Sequence, residues 1–260
     1  MTDGSAHGQL RYRVRFEWGA TGAAAIAEGA DVAVVVDVLS FTTTLSVAVE
    51  RGITVHPFRW RDERAATYAA ERDAVLATGR SERAGVSLSP VSVRAAEGVE
   101  RLVLPSPNGS SIAFGLAEAG VTVVGAALRN AAAVARWLPA GATVAVLAAG
   151  ERWPDGTLRP AVEDLWGAGA VVAGLVDLGA TGLSPEARAA EQAFRAVEAR
   201  LAEELHDCAS GRELVEIGFA GDVAVAAEHD ACAAVPVLQG EAFVAATSRP
   251  GDPVSSPSRR

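Results

Sequence analysis

Cysteine is almost absent from this chain. Cys208 and Cys232 are the only two in 260 residues, and neither has a neighbour at CxxC spacing. That argues against a disulfide framework or a thiolate zinc site and fits a reducing compartment. Basic charge is also short: 23 basic against 32 acidic side chains leave a net charge of −9 and a pI of about 5.0. Such a chain does not look like a general nucleic-acid binder, although a locally positive site for an anion is compatible with it. No apolar run is long enough to span a membrane, because charges or glycines interrupt each one. The opening residues carry no apolar stretch of the secretory kind. A cytoplasmic protein without nucleic-acid or membrane partners is the expectation. Several catalytic signatures are missing too. There is no GxxxxGK followed by Ser or Thr, no GxSxG and no HExxH. GAGAVVAG, at residues 167–174, has the wrong glycine spacing for a dinucleotide fingerprint, and close helix packing is its expected purpose.

What is present points to a folded α/β protein. Half of the residues are hydrophobic, dominated by Ala and Val, and the length is ample for one large core. Short apolar strands alternate with helices over the first two thirds, for example at residues 31–38, 53–58, 101–106, 121–126 and 142–148. That rhythm predicts a three-layer α/β/α fold with a largely parallel or mixed central sheet. Residues 185–208 read as one long amphipathic helix. The expected organisation is a loose tail over 1–10, a single domain over 11–244, and a mobile Ser-, Pro- and Arg-rich tail over 245–260.

The stretch with most chemical content is VVVDVLSFTTT, residues 34–44. It reads as a buried strand ending at Asp37, followed by Ser40, Thr42, Thr43 and Thr44 where a helix begins. A helix start carries unpartnered N–H groups and partial positive charge, so it suits a phosphate or carboxylate. The plainer alternative is that Thr42 caps a helix and Asp37 ends a strand. A second strand–turn–helix unit presents Asn108, Gly109 and Ser110. A third loop, from Gly150, runs to the acidic pair Glu163 and Asp164. Between them lies a hydroxyl- and arginine-rich loop with Arg80, Glu82 and Arg83. In α/β sheets ligands gather beyond the carboxyl ends of strands; the loops of Asp37, Asn108 and Gly150 follow strands, and if those strands are parallel the loops lie at one edge. Asp37, Glu163 and Asp164 are candidate ligands for Mg2+, which prefers oxygen donors. Arg83 or Arg80 would pair with anionic oxygens.

The order of these motifs resembles the 2-phosphosulfolactate phosphatase family. DVLSFTTTLSVAVERG, SERAG with SP after it, SPNGSSIA, RNAAAVARWL, AAG and VEDLWGAGA follow one another as that family's short motifs do, over roughly residues 11–240. The resemblance implies a magnesium-dependent phosphohydrolase, often dimeric, acting on 2-phospho-3-sulfolactate in a step toward coenzyme M. By position, Asp37, Glu82, Arg83 and Asn108 would be catalytic. Ser40, Thr42, Thr43, Thr44, Arg80, Gly109 and Ser110 would bind the small anionic phosphate ester. Departures are visible: the family's arginine in DVLR is Ser40 here, the asparagine of NSP is Leu88, threonines give way to Ser106, Pro107 and Ser110, and the cysteine of CAG is Ala148. Losing a charge and an amide weakens a doubly anionic site, and Arg80 is the candidate to compensate. The competing reading is a non-catalytic member that binds a small anion or a partner protein.

Overall fold

Five consecutive buried residues, VAVVV, form strand β2 (Val32–Val36), which has no solvent face because it lies mid-sheet with helices on both sides. The computed structural model describes residues 6–59, 64–80 and 85–249. The remaining strands are β1 (Val14–Trp18), β3 (Thr54–Phe58), β4 (Val75–Leu76), β5 (Arg101–Pro105), β6 (Thr122–Ala126), β7 (Val144–Ala148), a small ribbon of β8 (Glu151–Arg152) and β9 (Leu158–Arg159), and a hairpin of β10 (Pro236–Gln239) and β11 (Ala242–Ala245). Nine of them form one mixed sheet in the order β1-β7-β2-β6-β10-β11-β3-β5-β4. β1, β7, β2 and β6 are mutually parallel, with Val34 paired to Val146 on one side and Val124 on the other. β3, β5 and β4 form a second parallel block. The antiparallel hairpin sits between the blocks, Val237 against Val124 and Phe243 against Val55, so the second block runs opposite to the first.

Helices cover both faces, giving three layers. One face packs α1 (Gly19–Ile26), α2 (Phe41–Glu50) and α5 (Gly109–Glu118) on Ala33, Val35, Val123 and Leu147. The other packs α6 (Ala131–Trp137), α7 (Val162–Asp177) and α8 (Pro185–Val197) on Val32, Val34, Val36 and Val146. The alternation of consecutive β2 residues between the two cores is the period of two expected of a strand. Around these lie α3 (Arg64–Glu71), α4 (Pro90–Ala95), α9 (Leu201–Asp207), α10 (Ala209–Glu216) and α11 (Ala220–Ala226). The glycines of GAGAVVAG serve close packing, as expected. A Cβ on Gly169 would stand 2.1 Å from the Ala190 carbonyl oxygen, and one on Gly167 would stand 2.6 Å from Val38.

Three elements differ from the sequence reading. The helix expected over 185–208 is broken by a 3-10 turn at Glu198–Arg200, after which Leu201 and Leu205 turn into the core. The charged, polar-faced pattern of residues 61–77 reads as one helix, but α3 ends at Glu71 and Val75–Leu76 becomes an edge strand on β5. β11 (Ala242–Ala245) takes its last residue from the stretch read as a tail and was not foreseen as a strand. Gly240, at φ +59°, makes the two-residue turn that pairs it with β10.

Candidate active site

Asp37 follows β2, and both of its carboxylate oxygens accept backbone N–H groups. Oδ1 takes the amide of Phe41 at 3.1 Å, at the start of α2, and Oδ2 takes that of Gly109 at 3.1 Å, at the start of α5. Two helix N-termini thus converge on one acidic group, the arrangement that favours negative charge. Burial opposes it. Asp37 is pushed up to about 6, first by desolvation, with the Glu163 charge adding to the rise, while the two amides and Arg80 pull the other way. The loop after β5 reaches Asp37 although β5 belongs to the oppositely running block.

The first turn of α7 supplies Glu163 and Asp164, both buried. Asp164 ties two loops together: Oδ1 accepts from Val38 N at 2.7 Å and Oδ2 from Gly150 N at 2.8 Å. Desolvation, then the charges of Asp37 and Glu163, hold its carboxyl well above the usual range. Glu163 lies beside Cys208, whose thiol is pushed up to about 12 by burial and by that carboxylate. Both cysteines are free and buried.

The hydroxyls of the FTTT stretch turn inward. Thr42 Oγ1 donates to the Asp37 carbonyl at 2.8 Å and accepts from Asp37 N at 2.9 Å. Thr43 donates to Val38 O and Thr44 to Leu88 O, each at 2.7 Å, and Ser110 donates to Leu104 O at 3.4 Å. All four are fully or almost fully buried, so in this arrangement they brace the loops rather than present hydroxyls to solvent. The helix start itself has Ser40 at its N-cap with no side-chain cap bond.

Arg80 is brought to Ser40. Its Nη2 donates to Ser40 Oγ, and its Nε donates to Asp222 Oδ2 at 2.9 Å. Asn108 donates from Nδ2 to Glu151 Oε2 at 3.1 Å and accepts from Arg152 Nε at 3.2 Å. Glu151 and Asn108 line a cavity of about 240 Å³ together with Trp18, Arg152 and Leu158. Burial, then the Asp37 charge, pushes Glu151 up to about 7. Glu82 and Arg83 lie outside the described residues. Glu151 and Asp222 were missed by the sequence reading. Glu151 carried one faint signal, its place directly after a strand-end Gly150 that opens a loop.

The donor chemistry suits a hard cation. Asp37 feels the Glu163 charge, and Glu151 feels both, so negative groups crowd together with Arg80 and Arg159 as their cationic neighbours. Among the described residues no three Asp, Glu, His or Cys side chains are gathered as a metal-holding group. Magnesium needs fewer, since it is usually held by one or two carboxylates with waters and substrate phosphate completing its shell. Among the same residues no helix is long and apolar enough to cross a membrane.

The chain is similar to known proteins. A model of the family described as 2-phosphosulpholactate phosphatase matches residues 23–241. The chain is 35% identical over 217 residues to a protein of Thermus thermophilus named probable 2-phosphosulfolactate phosphatase, covering 81% of this chain and 89% of that one. It is 33% identical over 218 residues to a protein of the same name from Deinococcus radiodurans, covering 80% and 88%. The loops that meet around Asp37 fall within the matched region, and the chain belongs to the 2-phosphosulpholactate phosphatase family.

Proposed function

We propose that the protein is a magnesium-dependent phosphatase that releases phosphate from a small anionic ester, 2-phospho-3-sulfolactate or a close relative. The observation that carries this reading is Asp37, buried between the first amides of α2 and α5, with Glu163, Glu151 and Arg80 within electrostatic reach. Family membership and the names of the two relatives support the phosphoric-ester class and make 2-phosphosulfolactate the first substrate to test.

Asp37 and Glu163 would hold Mg2+, which when bound lowers the pKa of a coordinated water and offsets charge on the phosphoryl oxygens. Asp164, whose oxygens accept the amides of Val38 and Gly150 as those of Asp37 accept Phe41 and Gly109, joins the loops after β2 and β7. The first-turn amides of α5 after Gly109, whose own N–H donates to Asp37, would face the phosphoryl group, as helix N-termini do for anions. Arg80 takes an anionic oxygen of the substrate at the place where Ser40 has no charge of its own. Asn108 orients Glu151, which is partly protonated near neutral pH and hands its proton to the leaving alkoxide as the P–O bond breaks. Water's oxygen ends on phosphorus, and the products are phosphate and an alcohol.

The test is phosphate release from a panel of small esters, including 2-phosphosulfolactate, with Mg2+ and with EDTA. Metal-dependent release that falls about 10²-fold or more in Asp37→Asn supports the reading. A folded protein with no release on any ester supports the competing one, a member that binds an anion without turning it over.

A further inference from the structure

Arg80 reaches Ser40 because a distant part of the chain holds it there. Asp222 is buried in the first turn of α11, 2% exposed, and its two oxygens are divided between two partners. Oδ2 accepts Arg80 Nε at 2.9 Å, and Oδ1 accepts the hydroxyl of Ser89, the N-cap of α4. The Arg80 guanidinium also lies 5.6 Å from the centre of the Phe219 ring. The far end of the same guanidinium donates to Ser40 Oγ.

This division has a physical consequence. An arginine side chain has large rotamer freedom, and fixing it beforehand raises its value to a ligand. A buried carboxylate demands a cation, so Asp222 gives Arg80 one strongly preferred orientation. Engaging Nε leaves the N–H groups of Nη1, and the one on Nη2 that Ser40 does not take, for another acceptor, on the planar guanidinium that suits carboxylate, sulfonate or phosphate oxygens. Ser89 fills the second oxygen of Asp222, so the carboxylate cannot swing to take the whole fork for itself.

We propose that Asp222 is a positioning residue which, with Ser89, holds Arg80 against Ser40 so that the outer edge of the guanidinium receives an anionic oxygen of the substrate. The inference rests on the phosphatase reading for the identity of that anion. Asp222 acts on the substrate through Arg80 alone, which sets the test apart from a simple structural role.

Four proteins decide it: the wild type, Arg80→Ala, Asp222→Asn and the double variant. Arg80→Ala is expected to raise KM for the ester about 10–100-fold with kcat changed far less. Asp222→Asn should raise KM about 10-fold, Asp222→Glu should recover part of that, and the double variant should be no worse than Arg80→Ala. Unchanged KM in Asp222→Asn overturns the proposal, as does a loss that adds in full to that of Arg80→Ala. Calorimetric binding of inorganic phosphate to the same proteins separates the two readings. If no ester is cleaved but phosphate binding weakens in this non-additive pattern, the phosphatase reading falls and the role of Asp222 stands. If phosphate binding ignores both substitutions, the role of Asp222 falls whatever the turnover. Should Asp222→Asn fail to fold, Ser89→Ala probes the same clamp, and a KM raised about threefold supports it while an unchanged KM overturns it.

Discussion

Gly109 stands so close to Asp37 that no other residue fits there. Its N–H donates to Oδ2 at 3.1 Å, and a Cβ added to it would lie 2.8 Å from that oxygen and 2.4 Å from Cδ1 of Phe41. Neither neighbour can yield, since Phe41 is buried and Asp37 is held at both oxygens. Gly109→Ala is expected to lower stability by about 1–3 kcal/mol and to cut turnover much more steeply, because it displaces the carboxylate. A denaturant titration together with an activity assay checks it; wild-type turnover in this variant would remove the Gly109–Asp37 contact from the site.

Asp164 should matter for folding more than for chemistry. Replacing it with Ala leaves the buried amides of Val38 and Gly150 without acceptors, and each such group costs about 1–3 kcal/mol. A loss of roughly 2–5 kcal/mol is expected for Asp164→Ala. Asp164→Asn keeps one acceptor and should lose about half as much. Midpoints of urea unfolding give the comparison, and equal midpoints for wild type and Asp164→Ala would contradict the assigned role.

The crowded carboxylates make stability depend on pH. Asp37 rises from an ordinary 3.8 to about 6 and Glu151 from 4.5 to about 7. The folded protein therefore binds more protons than the unfolded chain in the window between about 4 and 7. Their contribution is fully present below about pH 4 and is lost as pH rises through about 6 and 7. In EDTA, the melting temperature is expected to fall between pH 5 and pH 7.5 by about 4–8 °C, on the order of 2 kcal/mol. Mg2+ should restore most of this at pH 7.5 and do little at pH 5, because it binds the ionised forms. An Asp37→Asn, Glu151→Gln double variant should have a flatter profile and little response to Mg2+. A metal response that survives both substitutions would place the ion elsewhere.

Glu151 should leave its mark on the rate. A proton donor must be protonated, so kcat is expected to fall as pH rises through about 7 in the wild type. Glu151→Gln should lower kcat about 10²-fold and abolish that limb. Retention of the limb in Glu151→Gln would assign it to another group.

The parts of this molecule that were legible in its sequence share one property: their pattern is local. β2 is apolar throughout because both faces are covered, and Asp37 stood out as the charge that ends it. The meeting of Asp37 and Asp164 fits loops that trail parallel strands β2 and β7, whereas Gly109 arrives from β5 of the oppositely running block, which the strand rhythm did not foretell. Glu151 and Asp222 were not legible, since a glutamate opening a polar ribbon and an aspartate on a short helix look like ordinary surface charges. Burial by distant segments, not spacing, gives them their places. The threonines were conspicuous as a cluster. That cluster gave no sign that their hydroxyls would be taken up by the carbonyls of Asp37, Val38 and Leu88. The break after α8 and the strand β11 were hidden for the same reason, as both are set by partners far along the chain.

The hairpin in the middle of the sheet has a consequence for biosynthesis. β6 and β3 are both made early, yet each pairs along one edge only with residues 236–245. Until those residues leave the ribosome, two parallel blocks stand with open edges, which are surfaces that invite pairing with the wrong chain. Their closure also depends on contacts between sequence-distant strands, which form slowly. The hairpin, translated after both blocks, therefore acts as the keystone that joins two half-sheets, and a nascent chain stalled before residue 236 leaves the inner edges of β6 and β3 open to wrong pairing.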